Sequence, residues 1–173
     1  MKNTDPKIIE TLNSLLTDEL TAINQYIVHS EMCSNWGYEK LHRLDEKRAI
    51  DEMKHAEKLI ARILFLEGVP VVNYLKKITI GSEVAAQHNN DLHSEIEAIA
   101  LYNNGIKLAL EIGDNGTREL LESILKHEEG HLDWLEAQIN QISQMGIQNY
   151  LADQLWEPPN DSFKKVLFVI APG

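Results

Sequence analysis

Glu52-Met53-Lys54-His55 and Glu128-Glu129-Gly130-His131 are the two stretches whose reading decides the fold. Each is a Glu-x-x-His, and each has a further glutamate 33 residues upstream: Glu19 for the first, Glu95 for the second. The glutamates of the first set recur 76 residues later in the second, without slippage. Residues three apart on an α-helix lie about one turn apart on nearly one face. Glu52 and His55 can therefore reach one metal ion, and Glu128 and His131 a second. A lone glutamate on one helix and Glu-x-x-His on the next, used twice, is what a dinuclear carboxylate site inside a four-helix bundle requires.

The chemistry of the set agrees with its spacing. Ferrous iron and manganese accept mixed carboxylate and imidazole ligands, whereas a structural zinc site would recruit cysteines. Four carboxylates balance two divalent ions; without metal they would repel, and some would have to protonate. Each ligand also interrupts an apolar stripe of helical period. Glu19 follows Leu12, Leu15 and Leu16, and Glu52 precedes Ala56, Leu59 and Ile63. Glu95 lies between Leu92 and Ile99, and Glu128 between Ile124 and Leu132. Acids on core faces are costly unless something pairs them. A third match, Glu39-Lys40-Leu41-His42, has Pro6 at the upstream position and reads as surface.

Composition sets the bounds. A chain of 173 residues is one domain by default. Its net charge of −11 argues against a sequence-independent nucleic-acid binder and suits a protein that attracts cations. Charges break every apolar segment, so no membrane span is expected, and Met1–Pro6 lacks the apolar core of a secretory signal. The single cysteine, Cys33, forbids an internal disulfide and fits a reducing cytoplasm, where it reads as a packing residue.

Capping signals place the helices. Asp5-Pro6 starts a first helix that runs to about Trp36 and stops at Gly37. A second runs from about Tyr38 to Glu67 and stops at Gly68. Residues 69–81 carry no helical period and form a long crossover that lets the third helix run parallel to the second. Ser82 is the expected cap of that third helix, which continues to about Ile112. Gly113–Gly116 reads as a tight turn, a fourth helix spans about Thr117–Met145, and a short fifth follows to about Leu155. Short links within each pair and one long connection between the pairs define the topology as all-α.

Over residues 1–156 the chain resembles the bacterioferritins, a haem-containing ferritin family. The resemblance is carried by Leu16-Thr17-Asp18-Glu19-Leu20-Thr21-Ala22-Ile23-Asn24-Gln25-Tyr26, Ile50-Asp51-Glu52-Met53-Lys54-His55-Ala56 and Glu128-Glu129-Gly130-His131-Leu132-Asp133-Trp134-Leu135. Ile63-Leu64-Phe65-Leu66-Glu67-Gly68 and Met145-Gly146-Ile147-Gln148-Asn149-Tyr150 match as well. It implies a ferritin-like four-helix bundle with a fifth short helix, assembled as a shell of two dozen subunits that stores ferric mineral. It also implies a ferroxidase, in which dioxygen or hydrogen peroxide oxidises Fe(II) at a centre holding two iron ions per subunit. Glu52 and Glu128 would bridge the irons, Glu19 and Glu95 would cap one each, and His55 and His131 would complete the spheres. A ferredoxin-type reductant for iron release follows from the same resemblance. The competing function is a haem or di-iron redox protein whose metal pair is a fixed cofactor.

Met53 lies one position past Glu52 and points about 100° away from the metal pair, with Ile60 and Leu64 on the same outward strip. From periodicity alone an outward methionine is more often an interface filler than a ligand. The resemblance makes it the axial ligand of a haem b shared between two subunits. Tyr26, seven residues past Glu19, is either an electron relay or a core tyrosine, and His127 is read as solvated. Lys47 stands where the family often has a cavity-face histidine, and it is expected to pair with Asp51 and weaken any inner-surface iron site. The tail 157–173 runs past the usual family end and is read as an extension.

Overall fold

The computed structural model describes residues 5–155, and the expected extension at 157–173 lies outside them. Five helices follow in order: α1 (Pro6–Trp36), α2 (Glu39–Phe65), α3 (Val84–Glu111), α4 (Asn115–Met145) and α5 (Ile147–Asp153). Asp5 caps α1 by accepting from the Lys7 N–H, with proline in the first turn, and Gly37 ends it at φ 83°. The helices of 27–31 residues are about 40–46 Å long at 1.5 Å per residue. Contacts Glu19–His55 and Ser30–His42 run α1 antiparallel to α2, and Glu19–Tyr102 and Tyr26–Glu95 run it antiparallel to α3. Residues 69–81 cross the bundle without helix or strand.

Three boundaries differ from expectation. The left-handed residue that closes α2 is Glu67 at φ 62°, not Gly68. Gly68 is there for space: a Cβ would sit 2.8 Å from Ile9 Cδ1, where the chain end crosses α1. The N-cap of α3 is Glu83 rather than Ser82, and no side chain caps it. The chain reaches that point already tied down, because the Gly81 N–H donates to His29 Nε2 at 3.0 Å. Finally, α4 starts two residues early because Asp114 is its cap, accepting from the Thr117 N–H at 3.0 Å. Arg62 of α2 donates to both Asp114 (2.5 Å) and Thr117 (2.8 Å), which pins the end of α2 to the start of α4.

The interior has three storeys. Ile8, Leu12, Leu15, Leu16, Leu59, Ile63, Leu121 and Ile124 close one end with apolar packing. At the other end Cys33, Leu41, Val84 and Tyr150 are buried beneath Trp36, Trp134 and the short α5. Between them lies a polar layer that contains every glutamate of the repeated motif. Cys33 is the packing residue expected, with burial pushing its thiol up to about 12. Among the described residues no helix is long and apolar enough to cross a membrane.

Candidate metal centre

One residue from α1, two from α2, one from α3 and two from α4 converge in the polar layer. Glu19, Glu52, His55 and Glu128 offer atoms that all lie within 4.8 Å of one another, and so do Glu52, Glu95, Glu128 and His131. Glu52 and Glu128 belong to both groups, as the family resemblance implies. Glu19, Glu52, His55, Glu95 and Glu128 are buried; His131 keeps 14% of its side chain open.

The ring nitrogens face the acids. His55 Nδ1 lies 2.9 Å from Glu52 Oε2, 2.9 Å from Glu128 Oε1 and 3.6 Å from Glu19. His131 Nδ1 lies 3.0 Å from Glu52 Oε1, 3.5 Å from Glu128 Oε2 and 3.6 Å from Glu95. Yet Glu52 Oε1, Glu128 Oε1 and His131 Nδ1 are fully enclosed and make no aligned hydrogen bond. Buried polar atoms are rarely left so. Three such atoms converging from two helices suit a cation between them, and oxygen and imidazole donors fit a divalent first-row metal.

Electrostatics describe how the protein manages without metal. Burial alone would depress both imidazoles, but Glu128, Glu19 and Glu52 outweigh it and push His55 up to about 11. Glu128, Glu52 and Glu95 likewise push His131 up to about 12. Burial would raise Glu52, but the two histidines hold it down at about 2. Glu95 is raised to about 7, by burial first and by Glu52 next. Glu19 is raised well above its ordinary value, by burial and by like charge on Glu52 and Glu128. Two imidazoliums thus stand in for cations, and two carboxyls are pushed toward protonation.

Two tyrosines orient the outer carboxylates. Tyr26 donates to Glu95 Oε1 at 2.7 Å, and Tyr102 donates to Glu19 Oε1. Two cavities flank the centre. One of about 250 Å³, between α1 and α3, is lined by Asp18, Glu19, Glu95, Glu97 and Lys76 among others. The second, about 330 Å³ between α2 and α4, is lined by Lys47, Asp51, His127 and His131 among others.

Several readings need correction. His127 is exposed but not off-site, since its Nδ1 lies 3.2 Å from His55 Nε2 and steadies that ring from behind. Asp51 pairs with Lys54, one turn on, at 2.8 Å, while Lys47, one turn back on the same face, acts on it only through its charge. His42 of the third match is half-buried and bonds Ser30, joining α1 to α2. Met53 is 46% exposed, as its outward position requires. Ile60 packs partly onto the core, while Leu64, Ile50 and Ile27 are exposed. Arg48 and its partners Asp45 and Asp91 were absent from the expected site, and all three are buried in the polar layer.

A ferritin-like domain family matches residues 9–145. The chain is 39% identical over 156 residues to a bacterioferritin of Mycolicibacterium paratuberculosis, covering 90% of this chain and 98% of that one. It is 41% identical over 146 residues to a bacterioferritin of Rhodobacter capsulatus, covering 84% and 91%. A bacterioferritin of Brucella melitensis is 38% identical over 146 residues, with the same coverage.

Proposed function

This chain belongs to the bacterioferritin family, and from that premise we propose that it oxidises Fe(II) and stores the ferric product inside a homo-oligomeric shell. The observation that carries the reading is the pair of overlapping ligand groups with Glu52 and Glu128 common to both. Iron is the substrate. Glu19 and His55 hold one ion, Glu95 and His131 the other, and the two shared glutamates bridge them. Two Fe(II) held together give up two electrons at once, enough to take dioxygen to hydrogen peroxide with two protons, or peroxide to water. No one-electron product need escape.

The surrounding residues have separate tasks. Acids lining the α1–α3 cavity draw cations inward, helped by the net charge of −11. The exposed edge of His131 marks the route toward the α2–α4 cavity, where oxidised iron leaves for the shell interior. Tyr26 is placed to act as an electron relay. Its hydroxyl already donates to Glu95, so an electron leaving the ring can be matched by a proton passing to that carboxylate. Haem b suits the outward strip of α2 that carries Met53, an exposed thioether with exposed Ile50 one turn before it and exposed Leu64 eleven residues after it. Met53 from each of two subunits would hold the haem through its thioether, and the haem would supply one-electron transfer.

Aerobic titration with Fe(II) tests the proposal. A store takes up iron far beyond two ions per subunit and forms a sedimenting mineral core. Saturation at two would overturn storage and leave a fixed metal pair.

A further inference from the structure

The two halves of the metal centre carry like ligands in unlike surroundings: His127 stands behind His55, and a guanidinium stands beside Glu95. Glu19 and Glu95 each accept a tyrosine hydroxyl, but only Glu95 also accepts from a guanidinium, Arg48 Nη2 at 3.0 Å. Among the described residues no lysine or arginine makes an ion pair with Glu19. Arg48 is fixed independently of the metal ligands. Its Nη1 reaches Asp91 at 3.3 Å and Asp45 at 3.5 Å, and its guanidinium lies 4.1 Å above the centre of the Tyr26 ring. Asp91 is anchored in turn by His29 and Gln25, each at 2.9 Å. An arginine cannot shed its proton to make way for a cation. It is thus a permanent positive charge on one side of the pair.

We propose that Arg48 makes the two metal subsites unequal, so that the Glu19–His55 subsite fills first and the Glu95–His131 subsite second and more weakly. Arg48 acts through Glu95 and is a positioning residue. Its charge opposes a cation directly and, with Tyr26, draws electron density from the carboxylate that the cation needs. The consequence is a centre with one retained ion and one that exchanges. The exchanging ion lies beside His131, the ligand open to the α2–α4 cavity. This inference rests on the dinuclear reading above.

Anaerobic titration of the assembled, full-length apo-protein with Co(II) separates the two ideas, read by ligand-field absorbance and calorimetry. Wild type should bind two Co(II) per subunit, the second at least about tenfold more weakly, as a fixed charge a few ångströms away requires. His131→Ala should delete the weak event and His55→Ala the tight one. Arg48→Met should strengthen the second step and close most of the gap while leaving the first nearly unchanged. Arg48→Lys, which keeps the charge, should retain much of it. If Arg48→Met leaves Asp91 unbalanced and melts early, the double variant Arg48→Met/Asp91→Asn restores neutrality and should show the same convergence. Two equal sites in wild type, or an unchanged gap in both Met variants, would overturn the role of Arg48. Fewer than two Co(II) in wild type would overturn the dinuclear reading itself.

Discussion

Loading the metal-free centre with two divalent ions should release protons in a number that its geometry sets. His55 and His131, raised to about 11 and 12 by the acids around them, carry protons at pH 7 on the nitrogens that face those acids. Both must leave before the rings can ligate. Glu95, near 7, adds part of a third, and burial with like charge on Glu52 and Glu128 pushes Glu19 in the same direction. Two or more protons should therefore appear in solution for each pair of ions bound at pH 7. The sign follows directly. Protons and metal compete for the same lone pairs, so acid weakens binding and alkali strengthens it. The product of the two association constants should fall by about a hundredfold or more per pH unit of acidification near neutrality. The proton count should shrink as pH rises from 6 to 8, because Glu95 loses its own proton across that range. Calorimetry with Zn(II) in buffers of different ionisation enthalpy reads the count, and a pH-stat checks it. One proton or fewer per pair would refute the reasoning. It would mean that the rings are neutral in the apo-protein and that the 2.9–3.0 Å approaches are not ion pairs.

Glu52→Ala or Glu128→Ala removes a ligand common to both groups, so fast Fe(II) oxidation should be lost in stopped-flow absorbance while the shell, held by apolar stripes, still assembles. Met53→Leu keeps volume but lacks sulfur; protein reconstituted with haem should lose the low-spin spectrum and keep its initial oxidation rate. Arg62→Ala removes the two hydrogen bonds that pin α2 to the cap of α4, and denaturant unfolding should report a loss of about 1–3 kcal/mol. Burial would raise Asp114, but Thr117 and Arg62 outweigh it and hold the carboxyl below 3.8. That contribution is present above pH 3.8 and is lost as pH falls through the folded value, so wild type and Arg62→Ala should converge in acid.

The helices and the convergence of the six motif residues were legible because each rule involved is local. Caps such as Asp5 and Gly37 act within a few residues, and the Glu-x-x-His repeat fixes which residues share a face. Boundaries failed where a distant residue decided them. Glu67 takes the left-handed position while Gly68 packs against Ile9 of α1, and the start of α3 follows a Gly81 that His29 of α1 holds. Partner choice failed in the same way. Lys47 and Lys54 both lie one turn from Asp51 on the same face, so spacing alone does not say which one reaches it.

Arg48 is the more instructive omission, because its signal was present. Leu41, Asp45, Arg48, Glu52, His55 and Leu59 follow one another at steps of three and four, a single buried stripe of α2. On α3, His88, Asp91 and Glu95 do the same. Periodicity applied to charges as strictly as to leucines places Arg48 and Asp91 inside, on the faces that carry the ligands. A buried arginine is then costly unless carboxylates neutralise it, and Asp45 and Asp91 are the acids on those stripes. What periodicity cannot supply is which glutamate the guanidinium reaches. A bond to Glu95 but not to Glu19 is a difference of a few ångströms between faces of the bundle, and it turns a sequence repeat that looks symmetric into two unlike metal subsites.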